Sequence, residues 1–186
     1  MNKQEILRYL RTKSTVQDEM LLKLIDAAME KVNQTVKPKS IYRIFDCCVT
    51  ENSLIIKNFE FKSKRLAENL KGCTKVAVLA ATVGTEGDRL LRSCSGEGAK
   101  LAIMQAVLAS KIEEVCDSVQ QSIETEHGVT TRQRFSPGYF DLDITEQKKI
   151  FSLLDITKRC GITLTQSCQM IPTKSVTAFT GADYEY

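Results

Sequence analysis

The chain has 186 residues, of which 42% are hydrophobic and 26% charged, and its net charge is +3. This length suits one domain with room for a helical arm, and it buries a sizeable core without disulfides or metal. Lysine and arginine are spread along the chain, which argues against a nucleic-acid or anionic-membrane partner. Because no apolar stretch approaches a bilayer span and the first residues lack the apolar core of a secretory signal, we expect a cytoplasmic protein.

The seven cysteines favour reduced, mostly buried thiols over a metal site or a disulfide framework. Their number is odd, no CxxC spacing occurs, and only Cys47 and Cys48 are adjacent. Zinc and iron–sulfur sites are typically built from closely spaced thiolate pairs, so we expect no metal. The single histidine, His127, is interpreted as a helix C-terminal residue rather than a ligand.

Two helices are predicted at the start of the chain, over residues 2–11 and about 16–36. Pro38 disfavours helix before it, and residues 1–38 are interpreted as an N-terminal helical arm. The following stretches, 41–49 and 53–61, are rich in β-formers, with a turn between them. After a short helix at about 62–71, residues 75–83 form a nearly continuous apolar run, which is typical of a central strand buried on both faces.

The second half of the chain alternates between long helices and short β-rich stretches. We predict helices over 85–94, 97–126 and 145–154, and strands over 129–135, 162–167 and 174–181, with a turn at 136–138. This order is not a regular βαβ alternation. We therefore predict an α+β fold. A single compact domain over 39–186, with a mainly antiparallel mixed sheet and flanking helices, follows the arm.

No catalytic constellation is evident in the sequence. Gly84 and Gly87 separate the apolar strand from a helix, a place where α/β proteins hold phosphate. However, neither GxGxxG nor GK[ST] is present. A plain strand-to-helix turn is the interpretation we favour, and an independent enzyme that holds a phosphate there is kept as a hypothesis.

The segment RFSPGY, residues 134–139, stands apart. Arg134 can donate two parallel N–H bonds to a carboxylate, and Pro137 with Gly138 would fix a turn that lets a ligand approach the backbone. Tyr139 offers a flat face and a hydroxyl. This set would suit a free amino-acid moiety; a Pro-Gly turn with a surface arginine and a core tyrosine is the alternative.

Two motif blocks resemble the activation domain of cobalamin-dependent methionine synthase. They are RFSPGY at 134–139 and MIPTKSVTA at 170–178, in the family's order and at about its separation. The resemblance covers 128–181 well and 73–127 more loosely. It implies a stand-alone α/β module with an antiparallel sheet, which binds S-adenosylmethionine in a shallow surface site and serves methionine biosynthesis.

The first motif block implies the ligand contacts. The family's arginine, matched by Arg134, holds the methionine carboxylate, and main chain around Ser136, Pro137 and Gly138 contacts the ligand. The family's tyrosine, matched by Tyr139, approaches the corrin ring of a docked partner.

The resemblance also implies the surroundings of the ligand. Ser175 and Val176 in the second block would form a pocket wall, and Glu113 on the long helix would be a partner-docking contact. The family's C-terminal tyrosine has Tyr184 and Tyr186 as candidate counterparts.

The activity that the resemblance implies is the rescue of a partner's cofactor. A cobalamin-binding methionine synthase or another corrinoid protein would present inactive cob(II)alamin, which accepts an electron from a donor such as flavodoxin. The resulting Co(I) would take the methyl group of S-adenosylmethionine. The alternative is a non-catalytic assembly or chaperone subunit of a corrinoid methyltransferase, which keeps the fold and has lost ligand binding.

Overall fold

The structure, a computed structural model, describes residues 1–12 and 18–184, with the backbone alone for Tyr184. The helices of this part are α1 (Lys3–Tyr9), α2 (Glu19–Thr35), α3 (Lys64–Asn69), α4 (Thr85–Ser93), α5 (Gly98–His127), α6 (Gln147–Leu153) and α7 (Ile156–Cys160), with a 3-10 turn at Ile144–Glu146 before α6. The strands are β1 (Lys39–Asp46), β2 (Cys48–Val49), β3 (Ser53–Ile56), β4 (Phe59–Lys62), β5 (Lys75–Thr82), β6 (Val129–Thr131), β7 (Thr163–Leu164), β8 (Met170–Ile171) and β9 (Ser175–Tyr184).

A four-stranded sheet in the order β1-β5-β9-β6 forms the centre of the fold, and all its pairings are antiparallel. Residues 76–81 of β5 are fully buried, so the predicted central strand is confirmed. The strand needs apolar side chains on both faces because helices cover one face of the sheet and a second apolar cluster covers the other. The predicted α+β fold with a mainly antiparallel sheet is confirmed.

The β-rich region between residues 39 and 62 differs from the prediction in its pairing. The strand β1 pairs with β5 along its whole length, and only β2 forms a hairpin with β3. The run 53–61 is not one strand, because the chain turns at Lys57, which has φ 54°. The resulting ribbon β2-β3-β4 buries Leu54, Ile56 and Phe61 in the core beside the main sheet.

The long helix α5 was predicted over 97–126 and runs from Gly98 to His127. Its apolar stripe is buried, and the helix ends at Gly128, whose left-handed φ of 61° a glycine adopts without strain. His127 is the last residue of the helix, as predicted, and its ring lies 3.1 Å from the Tyr42 hydroxyl.

Helices α1 and α2 pack against α5. Ile6 and Ile25 are fully buried in one cluster with Met104 and Leu108 of α5. The predicted helix over about 16–36 corresponds to α2; residues 16 and 17 lie outside the described part of the chain. Asp18 caps α2 by accepting hydrogen bonds from two backbone N–H groups.

Three further findings complete the description of the fold. The predicted helix at 145–154 consists of the 3-10 turn and α6, and the five-residue helix α7 was not predicted. The thiols are free, and those buried are Cys73, Cys94, Cys116, Cys160 and Cys168, which confirms the expectation of mostly buried thiols. In the part of the chain that the structure describes, no helix has the length and apolarity needed to cross a bilayer.

Candidate ligand-binding site

A cleft of about 740 Å³ lies between α5, the start of β9 and residues 133–140. We call it the Arg134 cleft. It is lined by Arg8, Glu113, Asp117, Gln120, Gln133, Arg134, Phe135, Ser136, Pro137, Tyr139, Phe140, Ile144, Gln147, Met170, Ser175, Val176 and Thr177. Its volume lies within the range typical of small-molecule sites.

A short backbone bridge holds the 134–136 segment against β9. Phe135 N–H donates to Phe179 O and Phe179 N–H donates to Phe135 O, both at 2.8 Å. The Phe135 side chain is buried in the core beneath the sheet. Because alternate side chains of an extended segment point to opposite sides, Arg134 and Ser136 both line the cleft.

The turn at Pro137 and Gly138 requires the glycine. Gly138 has φ 89°, and a Cβ there would lie 3.0 Å from Ile144 Cδ1. Its N–H donates to Leu142 O at 2.8 Å, and the N–H of Tyr139 donates to Ser136 O at 3.3 Å. Gly138 therefore shapes the turn without lining the cleft itself.

Arg134 is the best-connected charged group of the cleft. Its Nη2 donates to Glu113 Oε2 at 2.8 Å, and its Nη1 donates to Asp117 Oδ1 at 2.7 Å and also to Gln120 Oε1. The side chain is 17% exposed. Burial by itself lowers the pKa of the guanidinium, but the hydrogen bonds that it donates to Asp117 and Glu113 raise the pKa above its usual value, so the group stays charged.

The second motif block supplies the opposite wall. Ser175 begins β9; its Oγ donates to Pro172 O at 2.7 Å and lies 2.8 Å from Thr82 Oγ1. Val176 follows and is half-buried. The two motif blocks, separated by about thirty residues of other structure, therefore meet across one cleft.

Two aromatic side chains form the outer rim. Tyr139 is 65% exposed and Phe140 is 82% exposed. Phe140 has a φ of 53°, an uncommon conformation for a residue with a side chain, and its ring centroid lies 5.6 Å from that of Phe135. The Tyr139 side chain is therefore not in the core, so the sequence alternative of a core tyrosine is wrong.

The structure brings together Arg134, Ser136, Pro137, Tyr139, Ser175, Val176 and Glu113, all singled out from the sequence. It adds Arg8, Asp117 and Gln120, which sequence reasoning missed. Glu113 and Asp117 stand four residues apart, which places them on one helix face, so Asp117 had a signal in the sequence. Arg8 had none. Tyr186 and the side chain of Tyr184 lie outside the described residues.

The Gly84–Gly87 turn has a packing explanation. A Cβ on Gly87 would lie 2.7 Å from Val83 Cγ2, and one on Gly84 would lie 2.6 Å from the Glu86 carboxylate. A carboxylate at the turn repels a phosphate. Among the residues described, no cluster of three or more histidine, cysteine or carboxylate side chains could hold a metal ion.

The cleft suits a zwitterionic ligand. Its charged side chains are two guanidiniums, Arg8 and Arg134, and two carboxylates, Glu113 and Asp117. Amide side chains and the Tyr139 and Phe140 rings complete the lining. Such a set binds carboxylate and ammonium groups side by side and leaves a flat apolar surface at the entrance.

Comparisons with known proteins bear on the segment that carries the motifs and on the fold. Residues 131–185 match the family model described as vitamin B12 dependent methionine synthase, activation domain. A comparison with curated proteins finds no match. A solved structure titled "Crystal Structure of the MetH Reactivation Domain bound to AdoHcy" is similar at a TM-score of 0.69 and 17% identity, covering 96% of this chain and 70% of that one.

The structural similarity establishes the fold of nearly the whole chain, and the family match contains both motif blocks, 134–139 and 170–178. The resemblance noted in the sequence is thereby confirmed. Residues 131–185 therefore match the family of vitamin B12 dependent methionine synthase activation domains, and the chain around them has a fold similar to that of the MetH reactivation domain.

Proposed function

We propose that the chain binds S-adenosylmethionine in the Arg134 cleft and presents the ligand's methyl group to cobalamin on a partner, a methionine synthase or another corrinoid protein. The observation that carries the proposal is the Arg134 guanidinium, held in the cleft beside the Pro137–Gly138 turn within the segment that matches the family. The similar solved structure carries AdoHcy, the demethylated form of that ligand.

The lining of the cleft fits the ligand chemically. The amino-acid end of S-adenosylmethionine has a carboxylate, an ammonium and a neighbouring sulfonium. Arg134 offers its guanidinium to the carboxylate, and Glu113 and Asp117 offer carboxylates to the cationic groups. The exposed rings of Tyr139 and Phe140 offer flat surfaces at the side from which a partner's cofactor would approach.

The residues of the chain would position the methyl group rather than react with it. When bound, cobalamin would supply a reduced cobalt nucleophile for the methyl group, with the electron coming from a separate donor such as flavodoxin. Holding the sulfonium methyl in line with the incoming cofactor is an entropic contribution that needs no acid or base from the protein.

Isothermal titration of S-adenosylmethionine into the purified chain tests the proposal. We expect saturable binding to the wild type. Arg134→Gln is expected to weaken it at least about tenfold, because a charge-assisted bond to a carboxylate is worth roughly 1.5–3 kcal/mol. Failure of the wild type to bind, both alone and with a cobalamin-loaded partner, would refute the proposal.

Arg132→Gln is the matched control. Arg132 lies two residues earlier, pairs with Asp183 at 2.7 Å and does not line the cleft. We expect this variant to lose stability and to keep its affinity for S-adenosylmethionine. Thermal unfolding of all three proteins, followed by circular dichroism, verifies that each is folded before titration.

One observation favours the non-catalytic assembly subunit as the second candidate. Both terminal nitrogens of Arg134 already donate to side chains of α5, so the cleft is satisfied without a ligand. This candidate expects Arg134→Gln to leave methyl transfer to the partner unchanged, whereas deletion of α1 and α2 would abolish partner binding. The primary proposal expects loss of methyl transfer in Arg134→Gln.

A further inference from the structure

The charge of Arg134 is already compensated inside the cleft. Its guanidinium lies 2.8 Å from the Glu113 carboxylate and 2.7 Å from that of Asp117. The three groups together carry one excess negative charge. A ligand carboxylate that approaches Arg134 therefore meets two like charges, and a second cation is needed to offset their repulsion.

Arg8 is the cation that the fold brings to this place. It lies on α1, about 125 residues from the family motif in sequence, and it lines the same cleft as Arg134. Its Nη2 donates a hydrogen bond to Glu5 Oε1 at 3.3 Å, and its guanidinium lies 5.5 Å from the Tyr9 ring centroid. The side chain is 72% exposed. Arg8 is therefore free to turn its remaining donors to a ligand.

The position of α1 is fixed by contacts with the helix that carries Glu113 and Asp117. Ile6 is fully buried against the core. Ser110 Oγ accepts from the Asn2 N–H at 3.3 Å and donates to Glu5 Oε2 at 3.1 Å. Because residues 110, 113 and 117 share one face of α5, the anchor at Ser110 sets Arg8 beside the acidic part of the cleft.

We propose that Arg8 is a ligand-binding residue of the Arg134 cleft: its guanidinium takes the carboxylate of the amino-acid moiety, which it shares with Arg134. This inference rests on the proposed function. It adds that helix α1 recognises the amino-acid end of the ligand. The ligand's ammonium and sulfonium then face Glu113 and Asp117. The four charged side chains of the cleft sum to zero and bracket a ligand with charges of both signs.

The test compares two ligands that differ only in the carboxylate, S-adenosylmethionine and decarboxylated S-adenosylmethionine. Both are titrated into the wild type, Arg8→Gln and a control, Arg65→Gln. Arg65 matches Arg8 in context: its side chain is 65% exposed and pairs with Glu68 at 3.2 Å three residues along a helix, outside the cleft. Thermal unfolding verifies that the variants keep the wild-type fold.

We expect Arg8→Gln to weaken S-adenosylmethionine about tenfold and to leave the decarboxylated ligand unchanged or bound more tightly. Arg65→Gln should change neither. Equal affinity of Arg8→Gln and wild type for S-adenosylmethionine would overturn the inference, as would equal weakening of both ligands. In either case binding by the wild type would leave the proposed function standing. Absence of wild-type binding would instead refute the proposed function, and this inference with it.

Discussion

Arg134 shares its guanidinium among Glu113, Asp117 and Gln120, and any ligand carboxylate must compete with these partners. The two acidic partners are 38% and 71% exposed, so water already solvates them and their ion pairs contribute little to stability. Losing these ion pairs therefore costs the fold little. Replacing Arg134 should affect ligand affinity more than folding.

Asp183 gives the domain a predictable acid sensitivity. Its hydrogen bonds with Arg132 lower the pKa of the carboxyl below its usual 3.8, and the Cys73 thiol adds to this. A lowered folded-state pKa means that the stabilisation is present above pH 3.8 and is lost as the pH falls through the folded-state value. We predict that urea unfolding at pH 7 and pH 3 shows a smaller loss of stability for Asp183→Asn than for the wild type. An equal loss in both proteins would contradict this.

Gly181 is required because Cys73 and Arg132 pack closely against it. A Cβ there would lie 2.6 Å from Cys73 Sγ and 3.0 Å from Arg132 Cδ. We predict that Gly181→Ala lowers the free energy of unfolding by about 1–3 kcal/mol. Because Cys73→Ala removes the nearest atom, the double variant should lose roughly 1 kcal/mol less than the sum of the single variants. Additive losses in denaturant unfolding would argue against this contact.

At the scale of elements, helix α3 is tied to the turn that forms the rim of the cleft. Ser63 caps α3: its Oγ accepts from Leu66 N–H at 2.9 Å and donates to Asp141 Oδ1 at 2.5 Å. The other Asp141 oxygen accepts from the Lys64 N–H at 2.7 Å and the Arg65 N–H at 3.3 Å. Asp141 directly follows Phe140, so the first turn of α3 anchors the aromatic rim.

Ser63→Ala should therefore affect both a helix and the cleft. We predict a loss of about 1 kcal/mol in the free energy of unfolding, the usual cost of removing a helix cap, and faster amide exchange in residues 138–142. Ser122→Ala is the control: its Oγ donates to Ser118 O on the exposed side of α5, and its loss should change stability by less than about 0.5 kcal/mol. Similar losses in the two variants would contradict the role of the cap.

The elements that were predictable carry a strong local signal. The apolar run of β5 and the apolar stripe of α5 predicted boundaries within one residue of those observed. Both elements are long enough for the spacing of their apolar residues to indicate the type of element. The pairing of β1 with β5 was not predictable, since alternation fixes a strand's faces but not its neighbour. Helix α7 has five residues and was missed because it is too short to show a period.

The residues of the cleft also divide into those that the sequence predicted and those that it did not. Arg134 and Tyr139 were predictable because a compact motif carries them. Asp117 was missed although its spacing from Glu113 places it on the same helix face. Arg8 was not assigned because its place in the cleft follows from tertiary packing across about 126 residues of chain.

At the scale of the whole molecule, residues from opposite ends of the chain meet at the cleft. Helix α1 contributes Arg8, and β9 contributes Ser175 and Val176. Between these ends in sequence lies β5, which is hydrogen-bonded on both sides and buried from residue 76 onward. The cleft therefore joins α1 to a strand of the central sheet.

Hydrogen exchange measured by mass spectrometry follows from this arrangement. We predict the slowest exchange in residues 76–81, because opening them requires global unfolding. Addition of S-adenosylmethionine should slow exchange in residues 3–9 and 133–139 together. Slowing confined to 133–139 would contradict a contribution from α1, and slow exchange in α1 exceeding that of β5 would contradict the assigned core.

Because Phe140 is exposed, its position suits a fluorescent probe of the cleft. The chain contains no tryptophan. Phe140→Trp would introduce the sole indole, at a position whose ring is 82% exposed and stands at the mouth of the cleft. Its emission would then respond to the polarity of that mouth alone, with no other indole contributing. Fluorescence could follow occupancy and partner encounter in real time, at concentrations far below those that calorimetry requires.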